Sequence, residues 1–318
     1  MLRDHSHTDK RSAFTLVEMV VVLLIIAILV SLTWSVVMNV NVKVTEAQTR
    51  TEISELAVAL QAFMSDYGLS DPPPSKLILN ETSPLSTPSA PFLQKVFGKN
   101  LGYGQAFVDW NGDGSPNGPW ILGGEQCLVF YLGGIPNTAA VAKGLPPAPQ
   151  GFSTNNINPA LIPPGTKTKG PYFQFVSSRL VPASGGFFYY EDPWQAKTGH
   201  MPYVYFSSNG NNNGYNYTDC NTIVFTDALG LHNPLPYWTA QSPVAPFLPT
   251  AYTNSNTFQI ISAGKDGKFG YTPTPPSPFP PPVGLLFGNW WSPTSGAVGT
   301  GADDQANFSS TLLGQGQN

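Results

Sequence analysis

Ser12-Ala13-Phe14-Thr15-Leu16-Val17-Glu18-Met19 marks the sharpest change of character in this 318-residue chain. Before it, residues 1–13 are polar and carry Arg3, Lys10 and Arg11. After it, Met19 to Val30 contains no polar residue, and Ser31 to Met38 adds only small polar groups and Trp34. At ~1.5 Å per helical residue, the stretch from Phe14 to Met38 is about 37 Å long, enough to cross a ~30 Å hydrocarbon core with some tilt. A single charge, Glu18, interrupts it. An ordinary secretory signal places its cleavage site after the apolar run, following small residues. No such site follows Met38. Two readings remain: an uncleaved signal anchor held by its basic flank, or a short leader cut at the polar-to-apolar switch itself.

The helical pattern continues beyond the apolar run. Ile53, Leu56, Ala57, Leu60, Phe63, Met64 and Tyr67 recur at steps of three and four, one stripe of an amphipathic helix. Gly68 and then Pro72, Pro73 and Pro74 end it. The expectation is one helix, membrane-embedded over 14–38 and amphipathic over 39–68, roughly 80 Å long if unbroken. Residues 69–318 are then a head domain. There Glu125 to Leu132 reads as a short helix. Tyr172 to Val176, Gly186 to Tyr190, Tyr203 to Phe206, Thr222 to Phe225 and Phe258 to Ile261 read as strands. The fold class is α+β, a long helix packed on a loop-rich antiparallel sheet. The Asn-rich 207–216 and the Pro-rich insertion at 272–283 read as exposed loops.

Composition narrows the function. The chain has 31 Gly and 32 Pro, but its 12% aromatic content argues for a packed core beneath long loops. A charged fraction of 11% and a net charge of −4 give no basic face for phosphate contacts, so nucleic acid is not an expected partner. Loss of residues 1–13 makes the remainder more acidic still. Cys127 and Cys220 are the only cysteines and form no metal-type spacing. They are either a disulfide in an oxidising compartment or two buried thiols.

The quoted stretch resembles the type III signal of prepilins, a short basic leader ending in a small residue and followed by Phe-Thr-Leu-x-Glu and an apolar helix. Where that family usually has Gly, this chain has Ala13. The resemblance implies cleavage between Ala13 and Phe14 by a prepilin peptidase, N-methylation of Phe14, and pairing of Glu18 with the amino terminus of a neighbouring subunit. A carboxylate within a membrane helix costs on the order of 2.5 to 3.5 kcal/mol, so such a partner has a physical motive. Thr45 to Leu56 with Ala62 to Gly68 resembles the helix end of the major pseudopilins of type II secretion, although the mid-membrane proline usual there is absent. Asp192-Pro193-Trp194 followed by Pro202-Tyr203-Val204-Tyr205 resembles a hairpin of that family. Ser262 to Gly270 and Gly299 to Asn307 resemble its carboxy-terminal loops.

In the family those loops bind calcium, which makes Asp266, Asp303 and Asp304 candidate ligands. A second candidate is read from the residues alone. In Asp109-Trp110-Asn111-Gly112-Asp113-Gly114, oxygen-bearing side chains alternate and Gly stands sixth, as at the start of an EF-hand loop, with Asp109, Asn111 and Asp113 as donors. The twelfth position is Trp120 rather than Glu. Asp-Gly and Asn-Gly are also ordinary turn residues.

No nucleophile elbow, zinc-protease motif or nucleotide-binding loop is present. Glu191 and Asp192 read as a solvated pair ahead of a Pro-Trp turn. The resemblance therefore implies a structural subunit of a type IV pilin-like filament in the inner membrane, with its head in the periplasm. Its partners would be prepilin peptidase, other pilin or pseudopilin subunits and the inner-membrane secretion platform. A surface pilin for adhesion or motility, and a binding protein or enzyme on a pilin-type anchor, are the alternatives.

Overall fold

The computed structural model describes residues 15–137, 148–194, 201–216, 218–220, 225–227, 230–232, 234–241, 249–269, 291–292, 296–297, 304–310 and 312–313. The chain divides into two compact units, Met1–Thr45 and Glu46–Asn318. Helix α1, Leu16–Asp66, runs through the boundary. Within the first unit its large aliphatic side chains from Leu16 to Leu32 are 46% to 80% exposed.

In the second unit the expected stripe is buried. Ile53, Leu56, Leu60 and Phe63 are at most 2% exposed, and Ala57, Met64 and Tyr67 pack against the same core. The helix ends at Asp66, two residues short of the expected 68. Leu69 N donates to Met64 O at 2.8 Å and Gly68 N to Ser65 O at 3.1 Å, with Gly68 at φ +61°. This is the left-handed glycine stop that satisfies the last carbonyls of a helix. Lys169 Nζ adds a bond to Asp66 O at 2.8 Å and lies 4.2 Å from the Tyr67 ring centre.

Of the three prolines that follow, Pro72 and Pro73 are buried and Pro74 is half-buried. Their carbonyls are met by buried hydroxyls: Tyr205 OH donates to Pro73 O at 2.5 Å, Tyr131 OH to Pro74 O at 2.7 Å and Ser207 Oγ to Pro72 O at 3.4 Å. Strands β1 (Leu77–Leu79) and β2 (Trp120–Leu122) then pair antiparallel. Between them lies α2 (Ala90–Phe97), which buries Leu93 and Phe97. Sequence patterning missed α2 because eight residues behind a Ser- and Pro-rich run carry too few turns to show a period. Helix α3 (Gly124–Gly133) covers the expected 125–132 and is buried all round. Gly124 is required there: a Cβ would stand 1.9 Å from Tyr205 O and 2.6 Å from Cys220 Sγ.

The remaining strands are short antiparallel pairs: β3 (Phe152–Ser153) with β4 (Thr168–Lys169), and β5 (Leu180–Pro182) with β6 (Phe188–Tyr190). After β7 (Val204–Ser207) come β8 (Phe225–Asp227) with β9 (Gly230–His232), and β10 (Trp238–Gln241) with β11 (Pro249–Tyr252). β12 (Phe258–Ser262), the pair β13 (Trp291–Ser292) and β14 (Gly296–Ala297), and β15 (Gln305–Ala306) complete the order. Among the described residues β15-β12-β7 form a three-stranded sheet and the other strands pair in twos. The alternation of the three-stranded sheet serves two cores. Tyr205, Phe258 and Ile260 join the α1 core, whereas Val204, Phe206 and Ile261 join a second core with Tyr215, Tyr237 and Leu313.

The α+β class stands, with corrections. Tyr172 to Val176 forms no strand, because Tyr172 N donates to Leu132 O and Phe173 faces the core, so the segment seals α3 without a pairing partner. The predicted strand over 222–225 meets the described residues only at Phe225, which opens β8. The Pro-rich 272–283 lies outside the described residues.

Candidate functional site

At the start of α1, Thr15 and Glu18 close on each other. Thr15 N and Oγ1 each donate to Glu18 Oε2 at 2.8 Å, and Glu18 N donates to Thr15 Oγ1 at 3.2 Å. This reciprocal box satisfies amides that a helix start leaves open. Thr-x-x-Glu was in the sequence and would have revealed it. Glu18 therefore has a partner in its own chain, beside any it gains from a neighbour. Ala13 and Phe14 lie outside the described residues.

Among the described residues no helix is long and apolar enough to cross a membrane. The span expected over 14–38 includes Phe14 and several side chains between 33 and 39 that lie outside the description. The unbroken described run Leu16–Leu32 covers about 26 Å, just under a hydrocarbon core.

Further along, Glu52 sits on the buried side of α1, 8% exposed. Arg179, at the entrance to β5, forms a two-pronged pair with it: Nη1 donates to Glu52 Oε2 at 2.9 Å, and Nη2 contacts Oε1. Tyr203 OH donates to Glu52 Oε2 at 2.8 Å, Tyr190 OH lies against both partners, and Arg179 Nη1 also donates to Glu191 O at 3.2 Å. Burial works against the charge of Arg179, but the bonds and charge of Glu52 more than offset it and leave its pKa raised. Burial also lifts the Tyr190 hydroxyl to about 12 and that of Tyr203 well above its ordinary value. Sequence reading missed this clasp. A Glu between Thr49 and Leu56 on the apolar side was the only signal, and Arg179 offered none.

The two metal candidates take different forms. Asp109, Asn111 and Asp113 are brought together, but their oxygens are turned onto the loop. Asp109 Oδ1 and Oδ2 accept from Asp113 N at 3.0 Å and Gly114 N at 2.8 Å. Asp113 Oδ2 accepts from Asn111 Nδ2 at 2.9 Å and Asn117 Nδ2 at 2.7 Å, and Oδ1 from Ser115 N at 2.7 Å. The bend needs Gly112, at φ +71°, where a Cβ would strike Pro136 O at 2.3 Å. A carboxylate from outside the loop holds its backbone. Buried Glu81 accepts from Trp110 N at 3.1 Å and Asn117 N at 2.8 Å, its pKa raised to about 6 by desolvation.

Asp266 is exposed and accepts from Lys268 N at 2.8 Å. Asp304 is fully buried and accepts from Tyr237 OH at 2.5 Å, and Asp303 lies outside the described residues. Among the described residues no group of three or more His, Cys, Asp or Glu is placed to hold a metal ion.

Cys127 and Cys220 are buried free thiols, directed at Leu122 O at 3.6 Å and Tyr205 O at 3.4 Å. Burial raises both pKa values well above the usual thiol range, which makes them inert in the folded state. The expectation of a solvated Glu191-Asp192 pair is corrected, since both are buried. Asp192 accepts from Ser262 Oγ at 2.6 Å and Trp194 N at 3.0 Å, and Asp192 N donates to Met201 O at 3.1 Å. The Met201 bond joins Asp192 to the segment leading into β7, the Ser262 bond ties it to β12, and desolvation raises the Asp192 carboxyl to about 7.

Comparison with family models finds the prokaryotic N-terminal methylation motif over residues 8–34. No curated protein and no solved structure matches the chain. The motif supports a type IV pilin-like protein. It implies processing by prepilin peptidase, a membrane-anchored amino terminus and assembly with other pilin-type subunits, and it points to a structural subunit rather than an enzyme.

Proposed function

We propose that this chain is a structural subunit of a periplasmic pseudopilus for type II protein secretion, cut between Ala13 and Phe14, N-methylated on Phe14 and held in the inner membrane by a single helix over 14–38. One observation carries the reading: within the methylation motif over residues 8–34, α1 exposes aliphatic side chains on all sides from Leu16 to Leu32. A surface this apolar needs lipid before assembly and neighbouring helices after it. The choice of a secretion filament over a surface pilus draws on the likeness of the segment from Thr45 to Gly68 and of the Asp192-Pro193-Trp194 connection to major pseudopilins.

The amino terminus of the mature chain tests the first half of the proposal. Mass measurement of the purified protein should find a methylated Phe14, and a chain still beginning at Met1 sinks it. Deletion in the native cell tests the second half. Secreted proteins should accumulate in the periplasm, whereas loss of surface filaments with secretion intact would replace the pseudopilus by a pilus.

A further inference from the structure

The exposed side of α1 in the head unit has two unlike flanks. At 100° per residue, Arg50 and Glu55 stand 140° apart around the helix axis. Both are exposed, and neither has an ion-pair partner among the described residues. Glu55 lines an open groove of about 440 Å³ between α1 and segment 172–174, shared with Val58, Ala62, Tyr172 and Phe173. Val58 is 63% exposed, unlike its core neighbours Ala59 and Leu60. A carboxylate beside the half-buried Tyr172 ring and an uncovered valine suits an arginine: the guanidinium pairs with the acid and lies on the ring, while the stem covers the aliphatic surface.

We propose that this groove takes the Arg50 flank of α1 from a second copy of the chain. Charge complementarity selects the occupant, because the matching cation is on the same helix, on the other flank. Two different flanks meeting make a head-to-tail contact, which repeats into an open filament rather than closing a dimer. With parallel helices, the five-residue separation sets an axial offset of about 7.5 Å between contacting copies. The contact rests on the filament reading above and names where adjacent heads touch.

Two full-length chains, one Arg50→Cys and one Glu55→Cys, co-expressed with a prepilin peptidase and mildly oxidised in membranes, test it. The native thiols are buried and do not compete. A dimer containing one chain of each kind is expected. Dimers of like chains only, a crosslink to a different protein, or no crosslink overturns the proposal. In parallel, Glu55→Arg or Arg50→Glu should lower the sedimentable assembled fraction about fivefold or more, and the double reversal should restore it. A double variant no better than either single one also overturns the contact. The amino terminus is read from the same samples. A chain starting at Met1 sinks the filament reading, whereas a chain starting at Phe14 without the mixed dimer sinks this contact alone.

Discussion

Arg179 Nη1 stands 2.9 Å from Glu52 Oε2, joining the entrance of β5 to the carboxy-terminal part of α1 across 127 positions of sequence. The pair is almost dry, with side-chain exposures of 7% and 11%. A buried charge is tolerable only while its partner is present, so the clasp fixes which part of α1 lies against the head.

Removing one partner should therefore be costly. Glu52→Ala is expected to destabilise the fold by about 3–5 kcal/mol, because Arg179 is left charged in the core. Replacing both by Met should recover most of that loss. Urea unfolding of the detergent-solubilised chain, followed by tryptophan fluorescence, measures both, and a single variant as stable as the double one would contradict the account.

Asp192 predicts a pH dependence with a definite sign. Its folded pKa, about 7, lies above its unfolded value of ~3.9, so the folded state holds the extra proton between them. Its contribution is fully present below about pH 4 and is lost as pH rises toward 7, at up to ~1.4 kcal/mol per unit. Asp192→Asn should flatten that part of the stability curve. An unchanged slope would show that other carboxyls set it.

Glu81 acts as an acceptor, taking Trp110 N on Oε1 and Asn117 N on Oε2. In Glu81→Gln one arm becomes a donor facing a donor. A loss of about 1–3 kcal/mol is expected, with amide exchange rising at 110–117 and remaining unchanged in β7 and β12.

Calcium at the Asp109 loop would have to displace the bonds from Asn111 and Asn117 to Asp113. Stabilisation is expected only at millimolar calcium, the weak end of such sites, and should vanish in Asp113→Ala. Micromolar stabilisation in calorimetry would show that the loop opens readily for the ion.

Thr15→Ala separates the two roles of Glu18. Loss of the box at the helix start should cost about 1 kcal/mol of local helix stability while leaving Glu18 able to meet a neighbour's amine. Assembly measured by sedimentation should survive in Thr15→Ala and fail in Glu18→Ala. Equal failure of both would assign the role of Glu18 to the box.

Much of α1 was readable from the chain because its signals are local. Apolar continuity, a three-and-four stripe and Gly68 before three prolines depend only on neighbouring residues, and the motif at residues 8–34 is itself a short linear pattern. Helix α3 and the strands β6, β7 and β12 were visible for the same reason. What the sequence could not convey is which distant groups meet. Whether Glu191 and Asp192 are wet or buried, that Glu81 serves the Asp109 loop, that Cys127 and Cys220 remain separate thiols, and that Arg179 finds Glu52 are all settled by long-range packing. Burial and pairing belong to the assembled core, where desolvation and hydrogen bonding decide the state of each polar group, and no local pattern of residues encodes them.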